Sequence, residues 1–437
     1  SLSFRRTHED ESQVWINPLD GSEPRPVTDL EGGVGAYWWS PDGKHLAVLA
    51  DPAEPDKEEA EEDDGDGDPM AAPVYLVEED RQDWTVWDRI ELPGEYQQLW
   101  IIAATDADHD FEPRQLTASP LHPYHAAWAP DGKTLALTFN ARFSSLVDEE
   151  QQIGLVDVAT GEMEVLTPST HHSSLAALSP DGSQLAYYTD RDEELRAYLN
   201  LKDVVVRDME TGETRVLTGE TDLTLGGSGS TPAVAPLWDA KGENMFLPAA
   251  EGTTRDLYRL DANSGKLENV TKLAGSLDSM NLAGGRLAYV ESALDKPGTL
   301  YAGKPGSVKA VQSVNDAVAA YDLPEAKKLR LPGYEGGFVE GFLFLPPGAT
   351  ENDRLPAIIE MHGGPYSRYG NAWTSRYPWQ VLAKNGFAVF IVNPRGGTGY
   401  GAEFLRGVYR NFGTDDFQDI MAAVDALVER GTIDPDR

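Results

Sequence analysis

A short unit recurs through the first 320 residues of this chain, and it restricts the fold more than any other feature. An apolar residue leads into a Pro-Asp-Gly turn, and a short hydrophobic strand follows. The unit stands at Trp39 to Gly43 before Leu46-Ala47-Val48-Leu49, at Trp128 to Gly132 before Leu135-Ala136-Leu137, and at Leu178 to Gly182 before Leu185-Ala186-Tyr187-Tyr188. Trp238 to Gly242 and Leu282 to Gly285 are decayed copies. Proline presets φ, aspartate bonds back to the backbone, and glycine takes the positive φ that the turn requires. The following strand is apolar on consecutive residues, as expected where both faces are buried between neighbouring sheets.

A second unit alternates with the first: a strand, a glycine-containing turn, and a strand ending in Leu-Thr or Val-Thr. Ile153 to Thr167, Val204 to Thr218 and Leu257 to Thr271 show it most clearly. Val14 to Thr28, Leu99 to Thr117 and Thr299 to Val311 complete six copies. Two hairpins per repeat make a four-stranded sheet, and such sheets in series make a β-propeller. The wide gap between the first two Pro-Asp-Gly copies holds an acidic insertion at about 52–70 or conceals a degenerate blade, so the expectation is six to seven blades. No inner strand with its turn precedes the hairpin at Trp15, so the chain is expected to begin inside blade one.

Bulk properties exclude several classes. The net charge of -37 repels nucleic acid and anionic membrane, so neither is expected as a partner. There is no cysteine, which removes disulfides, thiol nucleophiles and thiolate metal sites. That suits a reducing cytoplasm, the expected location. No stretch has the apolar length of a membrane span, and Ser1 to Asp10 lack the pattern of a signal peptide. The run Glu58 to Asp68 has carboxylates enough for calcium but not the ordered ligand spacing of a calcium loop, and is read as a solvated acidic loop. The pairs His122/His125 and His171/His172, placed in loops before blade strands, lack a carboxylate at metal-site spacing; no metal or other cofactor is expected.

After Asn315 the repeats stop, giving a domain boundary at 318/319. An alternating hairpin, Lys328 to Leu331 and Phe338 to Pro346, is expected at a sheet edge. Leu355 to Met361 is expected as a buried strand, Trp379 to Lys384 as a helix closed by Asn385-Gly386, and Phe387 to Val392 as another buried strand. Thr414 can cap a last helix with Asp415 and Asp416 in its first turn. Phe417, Ile420, Val424, Leu427 and Val428 form its apolar stripe, and Gly431 ends it. Strands alternating with helices predict a parallel α/β sheet. His362-Gly363-Gly364-Pro365 follows the third strand, where α/β-hydrolases place a backbone N–H of the oxyanion hole. Paired glycines let that backbone approach a substrate carbonyl; a tight turn that merely needs glycine is the alternative.

With Asn393-Pro394-Arg395-Gly396, Thr398-Gly399-Tyr400-Gly401 and Asp415-Asp416-Phe417-Gln418-Asp419, this loop resembles the prolyl oligopeptidase family of serine peptidases, especially its acylaminoacyl-peptidase branch. The resemblance spans essentially the whole chain. It implies a propeller, 1–318, covering an α/β-hydrolase domain of which 319–437 is the N-terminal half, with a Ser-Asp-His triad between them. It also implies that Gly364 supplies an oxyanion N–H, that His362 and Gly363 shape the loop, and that Tyr366 lies near substrate. The chain departs from the family in having no Gly-x-Ser-x-Gly elbow. Gly226-Gly227-Ser228-Gly229-Ser230 lacks the last glycine and follows no buried strand. Serine, aspartate and histidine are therefore expected after Arg437, and these residues alone are expected to be inactive. Arg368, Arg376, Arg395 and Arg406 cluster near the loop in sequence; one or more could grip a peptide's terminal carboxylate, or pair with nearby acids. The expected substrates are short peptides and the expected activity exopeptidase, of acylaminoacyl-peptidase or carboxypeptidase type; a homo-oligomer stays open. A TolB-like binding propeller and an esterase are the competing classes.

Overall fold

The computed structural model describes residues 2–8, 10–52, 85–86, 89–90, 97–104, 113–118, 121–140, 151–169, 171–192, 194–195, 199–227, 233–364 and 366–437. The acidic run Glu58 to Asp68, nearly all of the insertion, Ser228 to Ser230 and Pro365 lie outside them. The chain divides into two units, Ser1–Leu178 and Ser179–Arg437.

In the first unit, strands Leu2–His8, Glu11–Asn17 and Arg25–Pro26 form a three-stranded antiparallel sheet. Val34–Trp39, His45–Ala50, Gln98–Ala103 and Arg114–Gln115 form a four-stranded one, as do His122–Trp128, Thr134–Asn140, Gln151–Asp157 and Met163–Val165. Each Pro-Asp-Gly turn joins the first two strands of a sheet. At the first copy the Asp42 carboxylate accepts from Ser40 Oγ at 2.6 Å and from the Lys44 N–H at 3.0 Å. The inner strands are buried along their length, and Leu46, Val48, Leu135 and Leu137 are fully enclosed. His122 and His125 sit within a strand rather than a loop, because the strand begins six residues before Trp128. His125 packs edge-on against Trp38, and burial pushes its imidazole down to about 4.

The second unit continues the repeats. Gln184–Asp190, Lys202–Asp208 and Thr214–Val216 are antiparallel neighbours. Thr224–Leu225 and Leu237–Trp238 both pair with Asn244–Glu251, followed by Thr254–Asp261 and Leu267–Asn269. A meander of Ser276–Ala283, Arg286–Ala293, Lys296–Lys304 and Ser307–Ser313 closes the series. All six expected outer hairpins are present.

A different architecture follows. Strands β1 (Ala326–Pro332), β2 (Phe338–Phe344), β3 (Ala357–Met361) and β4 (Ala388–Asn393) form a sheet in the order β1-β2-β4-β3, antiparallel across β1-β2 and β2-β4 and parallel across β4-β3. Helix α1 (Trp379–Lys384) packs on one face, where Trp379, Ala383 and Tyr369 meet Phe342, Phe344, Val389 and Ile391. A short helix α2 (Ala402–Arg406) precedes α3 (Asp415–Glu429), which covers the other face with Ile420, Ala423 and Leu427 against Leu329, Val339, Leu343 and Phe390. A sheet covered by helices on both faces is the α/β arrangement.

Four local expectations fail for physical reasons. β2 does not alternate: it lies inside the sheet and is buried from Val339 onward. β3 is not fully buried but partly exposed, since it is the sheet's outer strand. Thr414 makes no cap bond; its hydroxyl donates to Asn411 O while Asp416 accepts from the Gly413 N–H. Phe417 is not part of the buried stripe and stands 50% exposed; the buried Asp419 takes the inward position instead. Among the described residues, no helix is long and apolar enough to cross a membrane.

Candidate active site

β3 and β4 run parallel, with Met361 beside Val392, so their following loops leave the same carboxyl edge of the sheet. That edge is where open α/β sheets bind ligands. After Met361, Gly364 adopts φ +139°, a region closed to other residues. A Cβ there would lie 2.7 Å from the Tyr366 nitrogen and 3.2 Å from that of Ser367. Gly363 has no such constraint: the space where its Cβ would stand is empty within 4 Å. Both glycines are exposed, and neither N–H reaches an acceptor among the described residues. The loop therefore carries two exposed main-chain donors without an acceptor among the described residues. His362 closes its inner side, with Nδ1 3.2 Å from Gly363 O and its ring edge-on to Tyr369 at 5.4 Å. Burial lowers its pKa, favouring the neutral ring.

The chain leaving this loop is fixed on two sides. Asn393, fully buried at the end of β4, accepts the Tyr369 N–H at 2.7 Å and donates to Tyr369 O at 2.9 Å. Glu360 of β3 accepts from Tyr369 Oη at 3.3 Å and Trp379 Nε1 at 2.7 Å. On the other side stand the repeat loops. Asn371 receives the Leu294 N–H on Oδ1 and donates Nδ2 to Ala274 O, while its own N–H reaches Thr253 O at 2.7 Å. Gln380 Nε2 donates to Leu294 O at 2.6 Å and the Trp373 N–H to Ser292 Oγ at 2.9 Å. The glycine-rich loop after Arg395 joins them, with the Thr398 N–H on Ser367 O and the Gly252 N–H on Gly399 O.

The four arginines singled out by sequence do not come together. Arg395 turns to α3: its Nε and Nη2 take both oxygens of Asp419 at 2.7 and 2.8 Å, and Nη2 also bonds Tyr334 O. Arg406 lies 3.6 Å from Asp192. Arg368 and Arg376 line one cavity of about 310 Å³, joined by Arg255 from the repeat strand Thr254–Asp261. Arg368 is buried and donates to Gly252 O, and Arg376 is exposed at the rim, stacked on Tyr377. Arg255 donates to Leu277 O and Gly226 O. Burial lowers both buried guanidiniums to about 10, and the charge of Arg368 adds to the effect on Arg255. Asp278, on the same cavity, is pushed up by burial. Tyr366, half-buried, follows directly on the loop. Sequence reading missed Arg255, Asp278 and Asn371, and quoted Asp419 only within a motif, without its role of holding Arg395. Only Asp419 carried a signal, as a polar residue on the buried side of a helical stripe.

Comparison with known proteins shows what the chain is similar to. The profile of the prolyl oligopeptidase family matches residues 373–437. The "uncharacterized peptidase YuxL" of Bacillus subtilis is 26% identical, covering 100% of this chain and 66% of that protein. The acylamino-acid-releasing enzyme of Sus scrofa is 25% identical, covering 72% of this chain and 46% of that protein. The acylaminoacyl peptidase structure from Pyrococcus horikoshii superimposes with a TM-score of 0.73 at 18% identity, covering 100% of this chain and 62% of that one. The chain thus spans less than two-thirds of the length of the proteins it matches.

Proposed function

We propose that this chain, which the profile of the prolyl oligopeptidase family matches over residues 373–437, is part of a serine peptidase that cleaves short peptides through an acyl-enzyme, with the loop His362-Gly363-Gly364 holding the oxyanion. Residues 1–318 form the propeller of six or seven blades that restricts access, and 319–437 the first half of the hydrolase domain. The observation that carries this reading is the Gly364 N–H, which has no acceptor among the described residues and sits on backbone at φ +139°, a region that favours glycine. A serine Oγ would attack the scissile carbonyl carbon, and the carbonyl oxygen would take up negative charge against that N–H. Collapse of the intermediate would expel the amine with a proton from the triad histidine, and water would then release the acyl group. One donor of this kind is worth about 3 kcal/mol of barrier.

The 437 residues hold no Gly-x-Ser-x-Gly elbow, so hydrolysis on this reading needs a nucleophile that they do not include. The free side of β3 is the place for it. A parallel ladder already starts there, with Leu355 beside Ile433, the Leu355 N–H on Thr432 O, and the Ala357 N–H on Arg437 O. A strand continuing along β3 would deliver its carboxyl end next to Gly364. On this reading the 437 residues are inactive by themselves and the protein is cytoplasmic, consistent with the absence of cysteine. The test uses the polypeptide extended through its downstream sequence. It should react with a fluorophosphonate probe, and Gly364→Ala should lower kcat about 100- to 1,000-fold with the labelled serine intact. An extended polypeptide that never labels would sink the reading.

A further inference from the structure

The cavity behind the oxyanion loop has the opposite charge to the molecule around it. Three guanidiniums, Arg255, Arg368 and Arg376, face one carboxyl group, Asp278, in a chain whose net charge is -37. Burial raises the pKa of Asp278, the one acid on the wall. The rest of the lining is largely aromatic, with Tyr369, Trp373, Tyr377 and Trp379. Tyr369 links the cavity to the loop: it forms part of the wall and carries His362 against its ring.

We propose that this cavity seats the terminal carboxylate and an aromatic or large apolar last side chain of a peptide, making the activity that of a carboxypeptidase. The inference rests on the peptidase reading above and names its substrate end. Arg376, at the rim, supplies the planar fork that a carboxylate matches with two hydrogen bonds. Arg255 and Arg368 are held by backbone carbonyls and contribute a fixed positive field in a partly dry space, where charge acts more strongly than in water. The bond broken is the last peptide bond. The penultimate acyl group passes to the serine, the terminal amino acid leaves with the histidine's proton, and water frees the shortened peptide. A phosphate site fits less well, because the aromatic walls would leave a small inorganic anion without apolar cover to match.

Binding to the 437-residue chain tests the inference without any nucleophile. Calorimetric titration with glycyl-glycyl-phenylalanine and with its C-terminal amide should give at least about tenfold tighter binding of the free acid. Arg376→Gln, a change at an exposed position, should abolish that preference while leaving thermal unfolding unchanged. Equal affinity for acid and amide overturns the inference, and so does binding of acetate as tight as that of the peptide. Fluorophosphonate labelling of the extended polypeptide separates the two readings. Labelling together with equal affinities rejects the carboxylate seat alone, whereas acid-selective binding without labelling rejects the peptidase chemistry alone.

Discussion

Arg395 shows how a motif can be legible while its role is not. Its place in Asn393-Pro394-Arg395-Gly396, beside the oxyanion loop, suggests a substrate contact. In the fold its fork is committed to Asp419, which is 1% exposed, and to Tyr334 O. The partner that decides this lies on the next long helix, and nothing in the intervening residues announces it. Asn393 carries a similar structural duty by imitating a strand partner for Tyr369. Arg395→Lys keeps the charge but loses the planar fork. It should lower stability by about 1–3 kcal/mol in urea unfolding and leave the preference for free acid over amide unchanged. A loss of that preference would return Arg395 to the substrate site.

At the scale of elements, hairpins and turns were readable because each repeats and each uses residues with a local reason. The closing threonines were visible as a pattern without a cause. The structure supplies one: Thr28, Thr117, Thr167, Thr218 and Thr271 each accept, on the hydroxyl, a backbone N–H of the partner strand. Four of them donate that hydroxyl to a Gln or Asp one residue earlier: Gln13, Gln98, Asp203 and Asp256. Thr218→Val keeps the shape but strands the buried Val204 N–H and removes one of the two hydrogen bonds on Asp203 Oδ1, which keeps Arg191. The expected cost is about 1–3 kcal/mol, read as a lower denaturation midpoint; an unchanged midpoint would make the threonines incidental. The cap at Thr414 was misread because its hydroxyl bonds back to Asn411, and the stripe at Phe417 because Asp419, paired with Arg395, takes the inward position. The outward character of β3 follows from sheet order, which composition does not encode.

For the whole molecule, the charge balance is the simplest lever. With 73 acidic and 36 basic side chains, like charges crowd a surface whose repulsion reaches about 8 Å at physiological ionic strength. Raising potassium chloride from 0.05 to 1 M should lift the unfolding temperature by several degrees in a calorimetric scan; a flat or falling temperature would show that surface pairs, not repulsion, dominate. The sequence shows where the repeats stop, after Asn315, but the compact units divide at Leu178/Ser179, and it gives no sign that the later sheet leans on the repeat strands that share its unit. Asn371, Trp373 and Gln380 tie the segment behind Gly364 to Thr253, Ala274, Ser292 and Leu294. A protease cut in the linker before Ala326 would therefore leave the later sheet without contacts that brace the segment after Gly364. On the peptidase reading proposed above, a molecule damaged in its repeats would fall silent rather than turn into an unguarded digestive enzyme.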